Sequence, residues 1–193
     1  MRFACAISIA LITSAIAAPV PKDLKKRKVY FPTTAGTMWE YAGEDGADRQ
    51  TREVRSATEK DGVRTVTILW TADGTKQTWE LREDATGLYR TKMGAATIDP
   101  PHLLLKPKVT EGDEWEGTYT QNGSEEKFRR VVGKAEKVKT PAGEFEAIPV
   151  LQTNPDDPDD EATVWYAEGI GMVKLHQKHS TPLLLKKVTI GKE

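Results

Sequence analysis

Alternation of apolar and polar residues dominates the middle of the sequence. Val66, Ile68 and Trp70 fall on one face of an extended segment, and the residues between them fall on the other. A period of two is typical of a β-strand with one face against a core. The same alternation recurs over residues 77–81, 144–151 and 172–175. These segments predict strands.

Turn dipeptides separate the alternating segments. Asp61-Gly62, Asp73-Gly74 and Asn122-Gly123 are pairs that accept positive φ at both central positions of a two-residue hairpin. Ala142-Gly143 is a weaker fourth example. Closely spaced turns without an amphipathic helical pattern favour an antiparallel meander.

An internal repeat relates the two halves of the chain. The pattern T-x-G-x-x-W-E occurs at 34–40 and again at 110–116, and the leucine runs 103–105 and 183–185 also correspond. Because these markers keep the same order, they indicate a duplication of a unit far longer than a solenoid repeat. Residues 49–60 are rich in helix formers, but their counterpart in the second half alternates after an Asn-Gly turn. The repeat therefore favours strand for both.

These patterns predict an all-β, mainly antiparallel fold. We expect a curved meander sheet that closes as a half-barrel or a sandwich and is built from two pseudo-repeats, 33–108 and 109–193. Together the repeats form a single β domain over 33–193. Two half-sheets that close on one another would protect their edges from unwanted pairing.

The N-terminus has the pattern of an export signal. Residues 4–18 are apolar apart from three hydroxyl side chains, and they follow the single charge of Arg2. This predicts a signal peptide over 1–17 and a basic linker over 18–32, with an uncleaved anchor as the alternative. Removal of the leader also removes Cys5, the only cysteine. We expect export to the bacterial envelope, either periplasmic or extracellular, with no transmembrane span left in the mature chain.

Charge and composition exclude some partners. The 193 residues carry 28 Lys and Arg against 29 Asp and Glu, a net charge of -1, so the basic field that nucleic acid requires is missing. We expect no nucleic-acid partner. Hydrophobic residues make up 38% of the chain, which suits a folded domain. The pattern does not predict an oligomeric state.

Metal-binding motifs are weak. His176 and His179 resemble H-x-x-H, but a spacing of three on a strand places the two rings on opposite faces. His102 follows Pro100-Pro101, and we expect it in a connecting loop. The acidic run 154–161 contains two prolines and no glycine, which predicts a solvated hairpin loop, with weak calcium binding or a partner contact as alternatives. The sequence predicts no metal and no cofactor.

Catalytic motifs are weaker still. Glu80 and Glu168 occupy similar positions after Trp79 and Trp165, yet nothing in their spacing requires the carboxylates to face one another. The chain has no G-x-S-x-G, P-loop or dinucleotide-binding pattern. We therefore predict that the protein is not an enzyme.

Aromatic residues are the remaining candidates for a site. The four repeat-related tryptophans can line an apolar groove or fill a core: Trp39, Trp79, Trp115 and Trp165. The leucine runs 103–105 and 183–185 break alternation, so each of these strands is either covered on both faces or lines an apolar cavity.

Several segments resemble a family of exported proteins. Residues 30–41, 100–115, 138–150 and 164–175 are similar to a TapB-like group of exported bacterial proteins of unknown function. The resemblance implies a curved antiparallel β fold akin to bacterial lipoprotein carriers, whose concave sheet can hold acyl chains, and it supplies no catalytic residue.

Three functions follow in order of preference. The first is an exported non-catalytic β protein that binds an apolar small molecule or an envelope component in a concave sheet. The second is a structural or interaction module with a filled core. The third is a hydrolase that acts on an envelope polymer.

Overall fold

The computed structural model describes residues 30–192, so the predicted signal peptide and residues 18–29 of the predicted linker lie outside the described residues. The described chain forms thirteen strands: β1 (Met38–Gly43), β2 (Gln50–Lys60), β3 (Val63–Ala72), β4 (Thr75–Asp84), β5 (Gly87–Met93), β6 (Ala96–Leu105), β7 (Glu114–Gln121), β8 (Ser124–Val132), β9 (Glu136–Thr140), β10 (Gly143–Asn154), β11 (Asp157–Ala167), β12 (Gly171–Gln177) and β13 (Leu183–Thr189). Within residues 30–192, no helix is long and apolar enough to cross a membrane.

Twelve of the strands close into an antiparallel barrel. Strands β1 to β8 pair in sequence order, β10 pairs with both β8 and β11, and β13 returns to pair with β1. The extra strand, β9, pairs with residues 143–147 of β10 beyond its contact with β8. The all-β antiparallel prediction is confirmed. The sheet is more closed than the predicted half-barrel or sandwich, because the free edge of the first strand is paired with the last.

The predicted turns set the register of the barrel. Asp73 and Gly74 have φ of 47° and 78°, and Asn122 and Gly123 have φ of 53° and 82°, as a hairpin turn with two left-handed residues requires. Asp61-Gly62 has the same form. The fourth turn lies one residue earlier than predicted, between Thr140 and Gly143. Residues 49–60 form strand β2 almost in full, which confirms the interpretation taken from the repeat.

The acidic run does not form the predicted long loop. Asn154 pairs with Asp157, so only two residues turn the chain, and β11 begins within the run. Thr153 pairs with Glu161, which leaves residues 158–160 as a bulge on β11. Proline is tolerated at a bulge because no ladder hydrogen bond is required there. The run is the exposed tip of the β10–β11 hairpin.

The two T-x-G-x-x-W-E motifs adopt the same backbone structure. The amide of Gly36 donates to Val54 O, and the amide of Gly112 donates to Val132 O. Both glycines have positive φ, 81° and 87°. Each motif thus bonds the segment before a strand to a valine of the partner strand in the same way. The duplication of whole units stays a prediction.

The interior of the barrel changes character along its axis. We call the end that carries the Asp61-Gly62 turn the lower end, and the end that carries Asp73-Gly74 and Asn122-Gly123 the upper end. Three cross-strand rows on β2, β3 and β4 run upward in the order Ala57–Val66–Leu81, Val54–Ile68–Trp79 and Arg52–Trp70–Gln77. The first two rows contain the fully buried side chains of Val54, Val66, Ile68 and Leu81, whereas every residue of the third row is half-buried. The apolar core therefore fills the lower part of the barrel.

Candidate functional site

Three arginines on different strands enter the barrel above the apolar core. They are Arg52 on β2, Arg90 on β5 and Arg130 on β8, and we call them the arginine layer. Alternation places each of them on the inward face, because their neighbours at i+2 or i−2, Val54, Leu88 and Val132, are buried in the core.

Arg52 lies between aromatic rings. Its guanidinium carbon is 5.2 Å from the centroid of Tyr41 and 5.1 Å from that of Trp79, both cation–π distances. Its Nη2 donates to Gln50 Oε1 at 3.3 Å, and its Nη1 contacts the sulfur of Met172 at 3.4 Å. Its Nε is buried and has no hydrogen-bond partner. The side chain is therefore held by aromatic and sulfur contacts more than by oxygen acceptors.

Arg90 has still fewer acceptors. Its guanidinium carbon lies 4.9 Å from the Trp79 centroid, and Nη1 contacts the Met93 sulfur at 3.8 Å. Its Nε is also buried without a partner, one of four such arginine Nε atoms in the described chain. Since Arg52 and Arg90 both lie close to Trp79, their guanidinium carbons are no more than about 10 Å apart.

Arg130 has more hydrogen-bond acceptors around its guanidinium than the other two arginines. It is 6% exposed, and its guanidinium donates to Gln152 Oε1 and to the carbonyl oxygen of Leu104. Its Nη2 lies 3.3 Å from His102 Nε2. Gln152 is its direct partner across the β8–β10 ladder, so strand register delivers this acceptor. Four of the five N–H donors of Arg130 therefore have an acceptor within the protein.

The arginine layer has no acidic partner within the described chain. Exposed arginines elsewhere form ion pairs, such as Arg55 with Glu53 at 3.1 Å and Arg129 with Glu114 at 2.7 Å. None of the ion pairs within residues 30–192 includes a member of the arginine layer. Burial raises the pKa of Tyr41 and of Tyr119, so these two nearby tyrosines stay neutral at neutral pH.

Mutual repulsion and burial act on the charges of the layer. Burial lowers the pKa of Arg52 and of Arg90, and the charge of Arg52 adds to the effect on Arg90. Burial, with a contribution from Arg90, lowers the pKa of Arg130 to about 10. A group with that pKa is still protonated at neutral pH, so the barrel interior holds three positive charges.

His102 lies in this layer and not in the connecting loop that the sequence suggested. It is on β6, is 4% exposed, and stacks on Tyr119 with ring centroids 4.4 Å apart. Burial, reinforced by the charges of Arg130 and Arg90, lowers the pKa of His102 to about 2. The loop prediction was wrong because Pro100-Pro101 continues strand β6, where prolines are uncommon.

The four predicted tryptophans do not form one site. Trp39 and Trp115 are 1% and 8% exposed, and their Nε1 atoms donate to the carbonyl oxygens of Ile170 and Leu103. Trp79 is half-buried beside the arginine layer and lies 6.1 Å from Trp70 in a stacked pair. Trp165 donates to Glu136 and carries the ammonium of Lys174 at 4.3 Å from its ring.

The other sequence candidates are dispersed. His176 is exposed on β12, and His179 lies in the next turn with Nε2 3.5 Å from Asp159. Glu80 accepts from Thr91 and Lys92, whereas Glu168 is exposed in the β11–β12 turn. No group of three or more potential metal ligands occurs in the part of the chain that the structure describes.

A cleft at the upper rim adjoins the arginine layer. It has a volume of about 380 Å³, and its lining includes Tyr41 and Gln50 together with Glu40, Thr51, Asp73 and Lys186, but no member of the arginine layer. Tyr41 and Gln50 also contact Arg52, so these two residues connect the cleft to the arginine layer. A second cleft of about 170 Å³ lies at the lower end beside Tyr30 and Phe31.

Little in the sequence indicates the arginine layer. Its members are spread over three strands and fall between residues of every type, so only strand register brings them together. One signal was available: Arg52, Arg90 and Arg130 each stand two residues from an aliphatic residue of an alternating strand, where an inward apolar residue is expected.

Two solved structures resemble this barrel. A candidate lipoprotein from Parabacteroides distasonis has a TM-score of 0.52 and 15% identity, over 85% of this chain and 100% of its own. A candidate exported protein from Bacteroides fragilis, whose name gives it a YmcC-like fold, has a TM-score of 0.53 and 17% identity, over 82% of this chain and 98% of its own. The chain therefore shares its fold with both proteins.

Sequence comparisons do not assign the chain to a family. No family model matches the chain, and no curated protein is significantly similar to it. The resemblance to a TapB-like group stays a prediction.

Proposed function

We propose that the protein is an exported, non-catalytic binding protein that takes a small ligand into the upper part of its barrel. One observation carries this proposal: polar donors of the arginine layer are buried above a filled apolar core without acceptors to match them. Buried polar groups without partners are costly, and they persist in natural proteins mainly where function requires them.

Location supports the same proposal. The two proteins of similar fold are named as a lipoprotein and an exported protein, and the N-terminal pattern of this chain predicts a leader. A binding protein of the bacterial envelope fits both facts. The ligand is then a small molecule or an envelope component that reaches the protein outside the cytoplasm.

The shape of the interior favours a ligand with both apolar and polar parts. Val54, Val66 and Ile68 fill the lower part of the barrel, so an acyl chain has no evident room there. The upper part offers the half-buried rings of Trp70 and Trp79 beside the arginine layer. A purely apolar ligand would leave the guanidinium groups unmatched.

Native mass spectrometry of the protein from a bacterial envelope fraction tests the proposal. We expect a species heavier than the polypeptide, which loses the extra mass after organic extraction. Re-addition of the extract should restore the mass and change the tryptophan fluorescence. A bare polypeptide mass, together with no response to the extract, would favour the structural module with a filled core.

A further inference from the structure

We infer that the arginine layer binds an anionic group, a carboxylate or a phosphate, through Arg52 and Arg90. This inference rests on the proposed function and names the chemistry of the ligand. The positive charge of the layer, its unpartnered donors and the nearby cleft support it.

Charge balance inside the barrel is the first argument. Three guanidinium groups share a partly desolvated interior, and no described carboxylate forms an ion pair with any of them. Burial, together with the charges of Glu126 and Asp160, raises the pKa of Tyr119 in this region. Buried charges normally have a counter-charge, because desolvation without one is expensive. A bound anion would supply it.

Hydrogen bonding separates the roles of the three arginines. Arg130 already donates to Gln152, to the Leu104 carbonyl and towards His102. It therefore adds to the positive electrostatic potential of the site and does not hydrogen-bond the ligand directly. Arg52 and Arg90 keep a buried Nε without a partner and direct other N–H groups at sulfur atoms. A guanidinium fork matches a carboxylate or a phosphate in a bidentate manner. These two side chains are therefore the direct ligands.

Aromatic packing gives the layer a fixed shape. Trp79 lies beside both Arg52 and Arg90, and its Nε1 is held by Gln77 at 2.9 Å. Tyr41 supports the other side of Arg52, and its hydroxyl donates to the Met172 carbonyl at 3.0 Å. Because the rings orient the guanidinium groups before any ligand arrives, less conformational entropy is lost on binding.

Access comes from the upper rim. Arg52 and Arg90 are half-buried, unlike Arg130, and the 380 Å³ cleft shares Tyr41 and Gln50 with the surroundings of Arg52. A ligand that enters past Tyr41 and Gln50 would place one anionic group between Arg52 and Arg90. The rest of the molecule would lie among Trp70, Gln77 and Tyr119 towards the open end.

Binding of three probes to ligand-stripped protein tests the inference. The probes are inorganic phosphate, decanoate, and decanol as the uncharged match to decanoate. We expect decanoate or phosphate to bind with an affinity that falls as salt is raised, and decanol to bind at least tenfold more weakly than decanoate. Competition between phosphate and decanoate would show that the anionic group alone is recognised, whereas binding of decanoate without competition would select the carboxylate.

Matched variants make the test specific. Arg52→Gln and Arg90→Gln should each weaken anion binding at least tenfold, measured by calorimetry and tryptophan fluorescence on folded protein. Arg55→Gln, on the outer face of the same strand as Arg52, and Arg129→Gln, next to Arg130, should bind as the unaltered protein does.

The outcomes separate the two proposals. Equal binding of decanol and decanoate, unaffected by Arg52→Gln and Arg90→Gln, would overturn the anion inference and leave a binding protein. Failure of every probe to bind, with no molecule retained from the envelope fraction, would overturn both.

Discussion

The Nε2 atom of His102 lies 3.3 Å from Nη2 of Arg130 in the barrel interior. Because a guanidinium only donates, this contact is a hydrogen bond only if Nε2 is the unprotonated acceptor of a neutral imidazole. Tyr119 stacks on the same imidazole and Phe128 packs against it at a tilt of 49°, each with its ring centroid 4.4 Å away. The contact fixes the histidine as a neutral group beside three positive charges.

The pH dependence of stability should report on His102. Its pKa is about 2 in the folded protein and near 6.5 in an unfolded chain, so the unfolded chain alone gains a proton between these values. Stability is therefore lost as the pH falls below 6.5, by about 2 kcal/mol between pH 7 and pH 5. Urea denaturation at both pH values measures the loss.

His102→Gln should remove that contribution. The difference in unfolding free energy between pH 7 and pH 5 should shrink by about 2 kcal/mol, whatever the variant does to stability at pH 7. His176→Gln changes an exposed histidine and serves as the control, with the pH difference retained. An unchanged difference in His102→Gln would show that this imidazole titrates in the folded state.

Arg90→Met should not destabilise the ligand-free protein. The substitution removes one of three clustered positive charges and a buried Nε without a partner, while methionine keeps much of the apolar contact with Trp79. We expect the unfolding free energy to stay the same or rise by up to about 2 kcal/mol. Denaturant unfolding at neutral pH checks this, and a loss above about 1 kcal/mol would contradict it.

Arg130→Met should have the opposite effect. Its removal leaves the Gln152 amide and the Leu104 carbonyl without their donor in a buried setting. We expect a loss of about 2–4 kcal/mol in unfolding free energy. The contrast with Arg90→Met, measured under the same conditions, distinguishes a structural arginine from one kept for a ligand.

Trp115→Ala should destabilise the barrel by about 3–5 kcal/mol, as expected for a large buried aromatic residue. The ring is 8% exposed and its Nε1 donates to the Leu103 carbonyl. Trp165→Ala, which truncates a half-buried ring paired with Lys174 and Glu136, should cost less than half as much. Equal losses of unfolding free energy in the two variants would mean that the exposed fraction of the ring does not determine the cost of removing it.

Gly123→Ala tests the backbone of the β7–β8 turn. Gly123 has a φ of 82°, and a Cβ there would meet nothing within 4 Å, so any cost comes from backbone conformation alone. We expect a loss of about 1–2 kcal/mol. Gly123→Asn should lose less, because asparagine tolerates the left-handed region. Thermal unfolding of the two variants compares them directly.

Local patterns were enough to predict the strands and most of the turns. Asp73-Gly74 and Asn122-Gly123 turn as expected because the conformation of a two-residue hairpin depends on the residues inside it. Alternation over 65–70 placed Val66 and Ile68 in the core for the same local reason. The ambiguous stretch 49–60 needed comparison with a second segment, since its own composition favours helix.

Closure of the barrel and the arginine layer required tertiary structure. The pairing of β13 with β1 joins residues nearly the whole described chain apart, and no local pattern encodes it. Likewise, Arg52, Arg90 and Arg130 are unremarkable in sequence, and His102 was expected in a loop. The sequence by itself determined an alternating, hairpin-linked β chain, because side-chain period and turn conformation are local properties. Which inward-facing residues meet across the barrel was decided only by strand register, which is set by the folded chain as a whole.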